Sequence, residues 1–245
     1  MKNVYRSIVL LAAMLSPLAA ISADLAAVEK QIRARFSAVM PTFEVESVTP
    51  SAVTGLYDVQ ISNGPLLMVT PNADYFISGD VFSTGSGKLE NVSEVKRQKE
   101  RVEEVAGFDK DQLIVFTPEQ GAKRWVAVFT DVKCGYCRKF HADVPALNKM
   151  GIEVRYFSFP IFDGSREEMV SALCAKDPEQ ALSTLKGGGK IPENLCTDQS
   201  IDAQFALARK FGLSGTPGIV LDDGTLLKGY IEPAQLAAQL GLQPE

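Results

Sequence analysis

The stretch that most constrains this chain is Trp125-Val-Ala-Val-Phe129, followed by Thr-Asp-Val-Lys-Cys134-Gly-Tyr-Cys137-Arg-Lys-Phe-His141. An unbroken apolar run of β-branched and aromatic residues predicts a strand buried on both faces. A helical pattern then continues from Cys134 through Phe140, Val144 and Leu147. A strand that passes through a short turn into a helix carrying both cysteines in its first turn belongs to a layered α/β domain. The unpaired N–H groups and the dipole at a helix start stabilise negative charge. They lower the pKa of the first cysteine and raise its thiolate fraction, and the thiolate is the species that attacks a disulfide. The second cysteine, one turn on, is near enough to close an internal disulfide. This spacing predicts an exposed first sulfur and a second one turned inward.

Other readings of the pair stay open at this level. A closed zinc site wants four ligands, paired as CxxC…CxxC or completed by histidines. The chain has one histidine and four cysteines, and Cys174 and Cys196 are far apart in sequence. A purely structural disulfide at two-residue spacing is a strained way to staple a fold. His141, one turn past Cys137, is either an acid–base group or a supporting residue, and its position favours support. The pattern as a whole favours thiol–disulfide exchange.

Compartment bears on that chemistry. Lys2 and Arg6 precede an apolar stretch from Ser7 to Ala20, and small residues follow. This predicts an export signal over residues 1–23, cut after Ala23, with Ser22 the next choice. As a membrane anchor the run is too short and is interrupted by Pro17. Disulfides persist outside the reducing cytosol, so all four cysteines are candidates for bridges or redox work. Cys174 and Cys196 flank the loop-rich Lys186-Gly-Gly-Gly-Lys190-Ile-Pro192. They read as a structural disulfide, worth about 3 kcal/mol for a loop of this size, with a second redox pair as the alternative. The net charge of −5 supplies no electrostatic reason to bind nucleic acid or anionic lipid.

Three sections follow the signal. Residues 24–84 open with Leu25, Val28, Ile32 and Phe36 on one helical face, ended by Pro41. Short runs over 43–48, 56–61, 66–69 and 75–77 then predict an antiparallel sheet, with Asn63-Gly64 as a hairpin turn. Residues 85–108 carry a narrow apolar stripe of Leu89, Val92, Val95, Val102 and Val105 among charges. This predicts a solvent-exposed linker helix, against the alternative of a helix packed flat on one domain. Residues 109–245 interleave strands and helices and close with a hairpin around Asp223-Gly224 and a helix over 232–240. Ser214-Gly-Thr-Pro217-Gly places a proline between a helix and a strand, a fixed turn whose peptide is either cis or trans.

Phe129-Thr-Asp through Cys134-Gly-Tyr-Cys137, with Gly215-Thr-Pro217, resembles the thioredoxin-fold proteins. The whole arrangement is similar to the DsbC/DsbG group of periplasmic disulfide-exchange proteins. Further points of likeness are Ile61-Ser-Asn-Gly64, Ile77-Ser-Gly79, Val154-Arg-Tyr-Phe157, Cys174-Ala-Lys-Asp177, Leu213-Ser-Gly-Thr-Pro217 and Gly229-Tyr230. The resemblance implies an α+β N-terminal dimerisation domain, cystatin-like, joined by a linker helix to an α/β thioredoxin-fold domain with a helical insertion. It implies Cys134 as nucleophile and Cys137 as resolving thiol. Gly135, Tyr136, Thr216 and a cis Pro217 would contact substrate, and Cys174–Cys196 would be the structural disulfide. It further implies a V-shaped periplasmic homodimer with an open cleft. Its substrates would be misfolded disulfide-containing exported proteins, and a membrane thiol reductase of the DsbD type would keep it reduced. The activity would be protein-disulfide isomerisation with some reductase activity, and the chemistry calls for no metal, nucleotide or organic cofactor. The rival readings are a DsbA-like oxidase, a DsbG-like reductase of oxidised single cysteines, and a holdase-type chaperone; Thr216 and the extra N-terminal section favour the isomerase. Two departures stand out. Lys133 takes the place of a small polar residue and Arg138 that of a histidine, and positive charge beside a thiolate would lower its pKa further.

Overall fold

Val28, Ile32 and Phe36 recur at helical spacing and form the buried face of α1 (Pro17–Val39) in the computed structural model. The structure describes residues 17–62, 64–196 and 200–242. Residues 1–16 of the expected export signal therefore lie outside the described residues, as does Asn63 of the expected turn. The chain divides into two compact units, Met1–Val81 and Phe82–Glu245.

In the first unit α1 covers an antiparallel sheet of order β1-β2-β3-β4. The strands are β1 (Val45–Pro50), β2 (Tyr57–Ile61), β3 (Leu66–Val69) and β4 (Phe76–Ser78). Val45, Val48, Val59, Ile61, Leu67 and Val69 meet the helix in one core. Arg33 ties α1 to the sheet by donating to the carbonyls of Val45 and Glu46. The β2–β3 hairpin forms where the sequence predicts it, with Gln60 opposite Leu66. All of β4 is exposed, including Phe76 and Ile77.

The second unit opens with a feature that differs from the expected linker. Phe82–Ser83 (β5) pairs with Glu90–Asn91 (β6), and α2 covers only Val92–Ala106. Rather than standing free, α2 packs on its own unit. Val105 enters a core with Ala127, Phe129 and Phe157. Arg101 is buried and donates through Nε to the Gly224 carbonyl at 2.7 Å, while its guanidinium pairs with Glu94. The narrow apolar stripe is enough to dock the helix because a buried, fully partnered arginine widens it.

The central sheet has the order β11-β10-β8-β9-β7, from β7 (Ile114–Phe116), β8 (Arg124–Thr130), β9 (Ile152–Ser158), β10 (Gly218–Leu221) and β11 (Leu226–Lys228). β8 and β9 are parallel and the other pairs antiparallel. β8 has neighbours on both sides and helices on both faces, which is why it reads as continuous apolar sequence. Val126 and Val128 face one core, and Ala127 and Phe129 the other. Around the sheet lie α3 (Gly135–Ala142), α4 (Val144–Lys149), α5 (Ser165–Leu173), α6 (Pro178–Lys186), α7 (Ser200–Lys210) and α8 (Pro233–Gln239). The single helix expected after Cys134 is two, divided at Asp143. Cys174 and Cys196 are joined as a disulfide.

The Asp223-Gly224 turn between β10 and β11 meets α2 backbone to backbone. Gly224 has φ +84°, and a Cβ there would stand 2.0 Å from the Gln98 carbonyl oxygen. Both the left-handed conformation and the close approach require glycine. Gly224→Ala is expected to lower the unfolding free energy by about 2 kcal/mol or more. Urea denaturation should show it, with the loss reduced if α2 is already undocked by Arg101→Ala.

Candidate active site

The sheet register assembles the site. Gly218 of β10 lies opposite Phe129 of β8, so Thr216 and Pro217, just before β10, stand beside the residues leaving β8. The Thr216–Pro217 peptide is cis. The turn from β8 into α3 is held by Asp131, which is fully buried. Its carboxylate accepts from the backbone N–H groups of Lys133 (2.7 Å), Ile161 (2.7 Å) and Phe162 (3.1 Å) and from the Ser165 hydroxyl (2.8 Å). One side chain thus ties together the exit of β8, the loop after β9 and the start of α5.

Cys134 is the N-cap of α3 and its sulfur accepts from the Cys137 N–H at 3.4 Å. As a thiol it also donates to the Thr216 carbonyl at 3.3 Å. Burial pushes the Cys134 thiol up. The Thr216 side chain, the Cys137 N–H and thiol and the Tyr136 N–H outweigh it, and the thiol lies below its usual value. Cys137 has the opposite balance: burial raises it, against weaker help from Lys186, Thr130, Thr216 and the Asp131 backbone. Cys134 is 7% exposed and Cys137 0%. The expected exposed first sulfur is not seen: both thiols are buried, and the Thr216 carbonyl lies against the Cys134 sulfur.

The two cationic departures are turned away from the sulfurs. The Lys133 ammonium donates to the Asp163 carbonyl and lies 3.6 Å from Glu168. Arg138 donates through Nε to the Val132 carbonyl at 2.9 Å. On the outer side Gly135 and Tyr136 are exposed. Tyr136 stacks against Tyr230, which the Lys139 ammonium covers at 4.1 Å from the ring centre and whose hydroxyl donates to Asp143. The Thr216 hydroxyl is the buried side-chain group that makes no hydrogen bond of normal geometry among the described residues.

Beneath Cys137 lies a polar layer of which the sequence reading finds only His141. Lys186, expected at the edge of a loop, is the last residue of α6 and is 4% exposed. It donates to Thr130 Oγ1 at 2.5 Å and to the Asp131 carbonyl at 2.9 Å. His141 is enclosed, its Nδ1 3.0 Å from the Tyr156 hydroxyl and its Nε2 3.1 Å from Ser183 Oγ. Burial, with the Lys186 charge, lowers its pKa to about 4, so it is a neutral support. A signal for α6 was available: Asp177 caps the helix and Pro178 occupies its first turn. A helix from there puts Lys186 one turn past Leu182, on a buried face.

Comparison with known proteins agrees with this geometry. A thioredoxin-like domain model matches residues 110–243, and a model of the disulfide bond isomerase protein N-terminal domain matches residues 20–94. The thiol:disulfide interchange protein DsbC of Escherichia coli K12 is 31% identical over 192 residues, 77% of this chain and 78% of that protein. That of Dickeya dadantii is 34% identical over 197 residues, 79% of each. Among solved structures, a linker-deletion variant of Proteus mirabilis ScsC shares the fold, with a TM-score of 0.50 and 20% identity over 61% of this chain and 85% of that one. With a thioredoxin-like domain, a DsbC-type N-terminal domain and these relatives, the chain belongs to the DsbC family of thiol:disulfide interchange proteins and is a thiol–disulfide oxidoreductase.

Proposed function

We propose that this chain is a periplasmic protein-disulfide isomerase that rearranges wrong disulfides in exported proteins through Cys134. The observation that carries the reading is the asymmetry of the two thiols. Cys134 has the lowered pKa, the residual exposure and the backbone carbonyl of Thr216 beside it, whereas Cys137 is sealed and its pKa raised. The Cys134 thiolate attacks a substrate disulfide, forms a mixed disulfide and expels a substrate thiolate. That or another substrate thiolate then attacks the mixed disulfide, forms a new substrate bond and frees Cys134. When none arrives, Cys137 attacks instead, giving an enzyme disulfide and a reduced substrate. A membrane thiol reductase of the DsbD type returns that disulfide to the dithiol. Gly135, Tyr136, Thr216 and Pro217 form the surface that holds an extended substrate segment. The Tyr136–Tyr230 stack offers it an apolar platform. Cys174–Cys196 stabilises the fold and takes no part in turnover.

The homodimer belongs to the same reading. A unit of this size buries a modest share of its surface alone. Its β4 is an edge strand with Phe76 and Ile77 exposed, and Tyr75 exposed beside it. An apolar open edge is a template for strand pairing with a second copy, and two-fold pairing closes the assembly.

Three outcomes test this. Brief alkylation of the reduced protein at about pH 7 should label Cys134 well before Cys137, because a lowered thiol pKa leaves more thiolate at that pH and a raised one leaves less. Preferential labelling of Cys137 would reverse the roles. Cys137→Ala, expressed with its exported substrates, should accumulate reductant-sensitive adducts through Cys134, visible on non-reducing gels. Ile77→Lys puts a charge on the open edge; light scattering should show a monomer that still reduces a small disulfide but no longer reactivates scrambled ribonuclease. A monomeric wild-type protein with full reactivation would remove the dimer from the mechanism.

A further inference from the structure

Cys137 is fully buried, yet it must lose a proton before it can attack the mixed disulfide at Cys134. Solvent cannot take that proton directly. Thr130 and Asp131, at the end of β8, are hydrogen-bonded to Lys186 and act electrostatically on Cys137. The Thr130 hydroxyl and the Asp131 N–H both stabilise the Cys137 thiolate. The Lys186 amine donates to Thr130 Oγ1 at 2.5 Å and to the Asp131 carbonyl at 2.9 Å. Lys186 makes no ion pair with a carboxylate among the described residues, and the Asp131 carboxylate faces its own four donors. A buried amine in that position is inexpensive only when it can give up its charge.

From this geometry we infer that Lys186 is the internal proton acceptor for Cys137, acting through the Thr130 hydroxyl, and so sets the rate at which the enzyme escapes from mixed disulfides. The inference rests on the exchange mechanism proposed above and adds a positioning residue to it. With Cys134 held as a mixed disulfide, it is the neutral-amine form of Lys186, whose share grows as pH rises, that takes the proton. The Cys137 thiol passes its proton to the Thr130 oxygen while the Thr130 proton passes to the amine, leaving a thiolate and an ammonium. The thiolate attacks the Cys134 sulfur, the Cys134–Cys137 bond forms, and the pair of electrons leaves with the substrate as its thiolate. The two enzyme thiols are oxidised and one substrate disulfide is reduced.

The groups facing the amine set when it can serve. Burial brings Lys186 down to about 8, against the Cys137, Asp131 and Cys134 charges that raise it, with Arg138 lowering it. Conversion of the Cys134 thiolate to a mixed disulfide removes one of the raising charges and lowers the amine further, so the base appears at the step that needs it. The neighbouring alternatives are poorer. His141, at about 4, is a far weaker base and both its ring nitrogens are engaged. Tyr156 is raised well above its usual value by burial and then by Cys137 and Asp143, and lies 3.0 Å from His141 through its hydroxyl. The Lys186 ammonium is 5.8 Å from the Tyr156 ring centre.

The full-length reduced protein is mixed with excess dithiobis(nitrobenzoate), and release of the coloured thiolate is followed by stopped flow. The first equivalent reports attack by Cys134 and the second reports attack by Cys137. Lys186→Met should slow the second phase relative to the first by about 10²-fold at neutral pH, the usual scale for a lost proton acceptor. The wild-type second phase should rise with pH and level off as the amine becomes neutral, whereas the Met variant should keep rising. Thr130→Val, which keeps the lysine and cuts the relay, should show the same loss. Lys186→Arg keeps the charge but cannot accept a proton and should be as slow as Lys186→Met. A second phase within about twofold of wild type in the Met variant, or a fully active Arg variant, overturns the inference. The first phase shows in each variant that the site is folded, and its absence in the wild type would count against exchange through Cys134 rather than against Lys186.

Discussion

Everything around the two sulfurs depends on the buried carboxylate of Asp131. A carboxylate with no exposure is tolerable only when its lone pairs are filled by well-aimed donors, and Asp131 has four of them. Those donors come from the turn before Cys134, the loop after β9 and the start of α5. Fixing them in one shell fixes the direction in which α3 leaves the sheet. The antiparallel pairing of β10 with β8 then delivers Thr216 to Cys134. The site is therefore a consequence of sheet register plus one satisfied charge, and loop flexibility has little part in it.

The same frame divides the labour between two identical side chains. Both sulfurs are desolvated, which opposes ionisation of either. Cys134 sits where α3 presents unpaired N–H groups and where Thr216 is adjacent, so local hydrogen bonding wins. Cys137, in the first turn of α3, is buried in the core, and burial prevails over the groups that would lower its pKa. On the function proposed above, with Cys134 as nucleophile and Cys137 as resolving thiol, this division is what a slow, reversible encounter with a substrate disulfide requires. A resolving thiol with a low pKa would close the enzyme disulfide before the substrate had time to rearrange.

Much of this was legible in the sequence where a pattern reports on its own segment. The run Trp125–Phe129 announced a doubly covered strand, Leu66–Val69 and Gly218–Leu221 coincide with β3 and β10, and CxxC after a strand placed both thiols in the first turn of α3. What escaped depended on a partner distant in the chain. The 85–108 stripe looked too narrow for a packed helix because nothing local reveals that Arg101 meets the Gly224 carbonyl 123 residues on. Lys186 looked like loop because glycines follow it and lysine is rarely buried; its partners, Thr130 and Asp131, belong to another strand. β7, only three residues long at the edge of the sheet, carries too short a pattern to stand out.

The two units are built on different economies of surface. The thioredoxin-like unit has cores on both faces of its sheet, and Asp131, Lys186, His141 and Tyr156 in its polar interior are each hydrogen-bonded. It contains the whole exchange apparatus. The N-terminal unit has one core on one face of its sheet and leaves an apolar strand at its edge. Such an edge is a liability for a protein that works alone, since it invites strand pairing with any other open edge. Its retention makes physical sense when it is closed by its own copy. On the readings proposed above, exchange chemistry and assembly can then vary independently: β4 governs how many sites act together, and the layer beneath Cys137 how long each site holds its substrate.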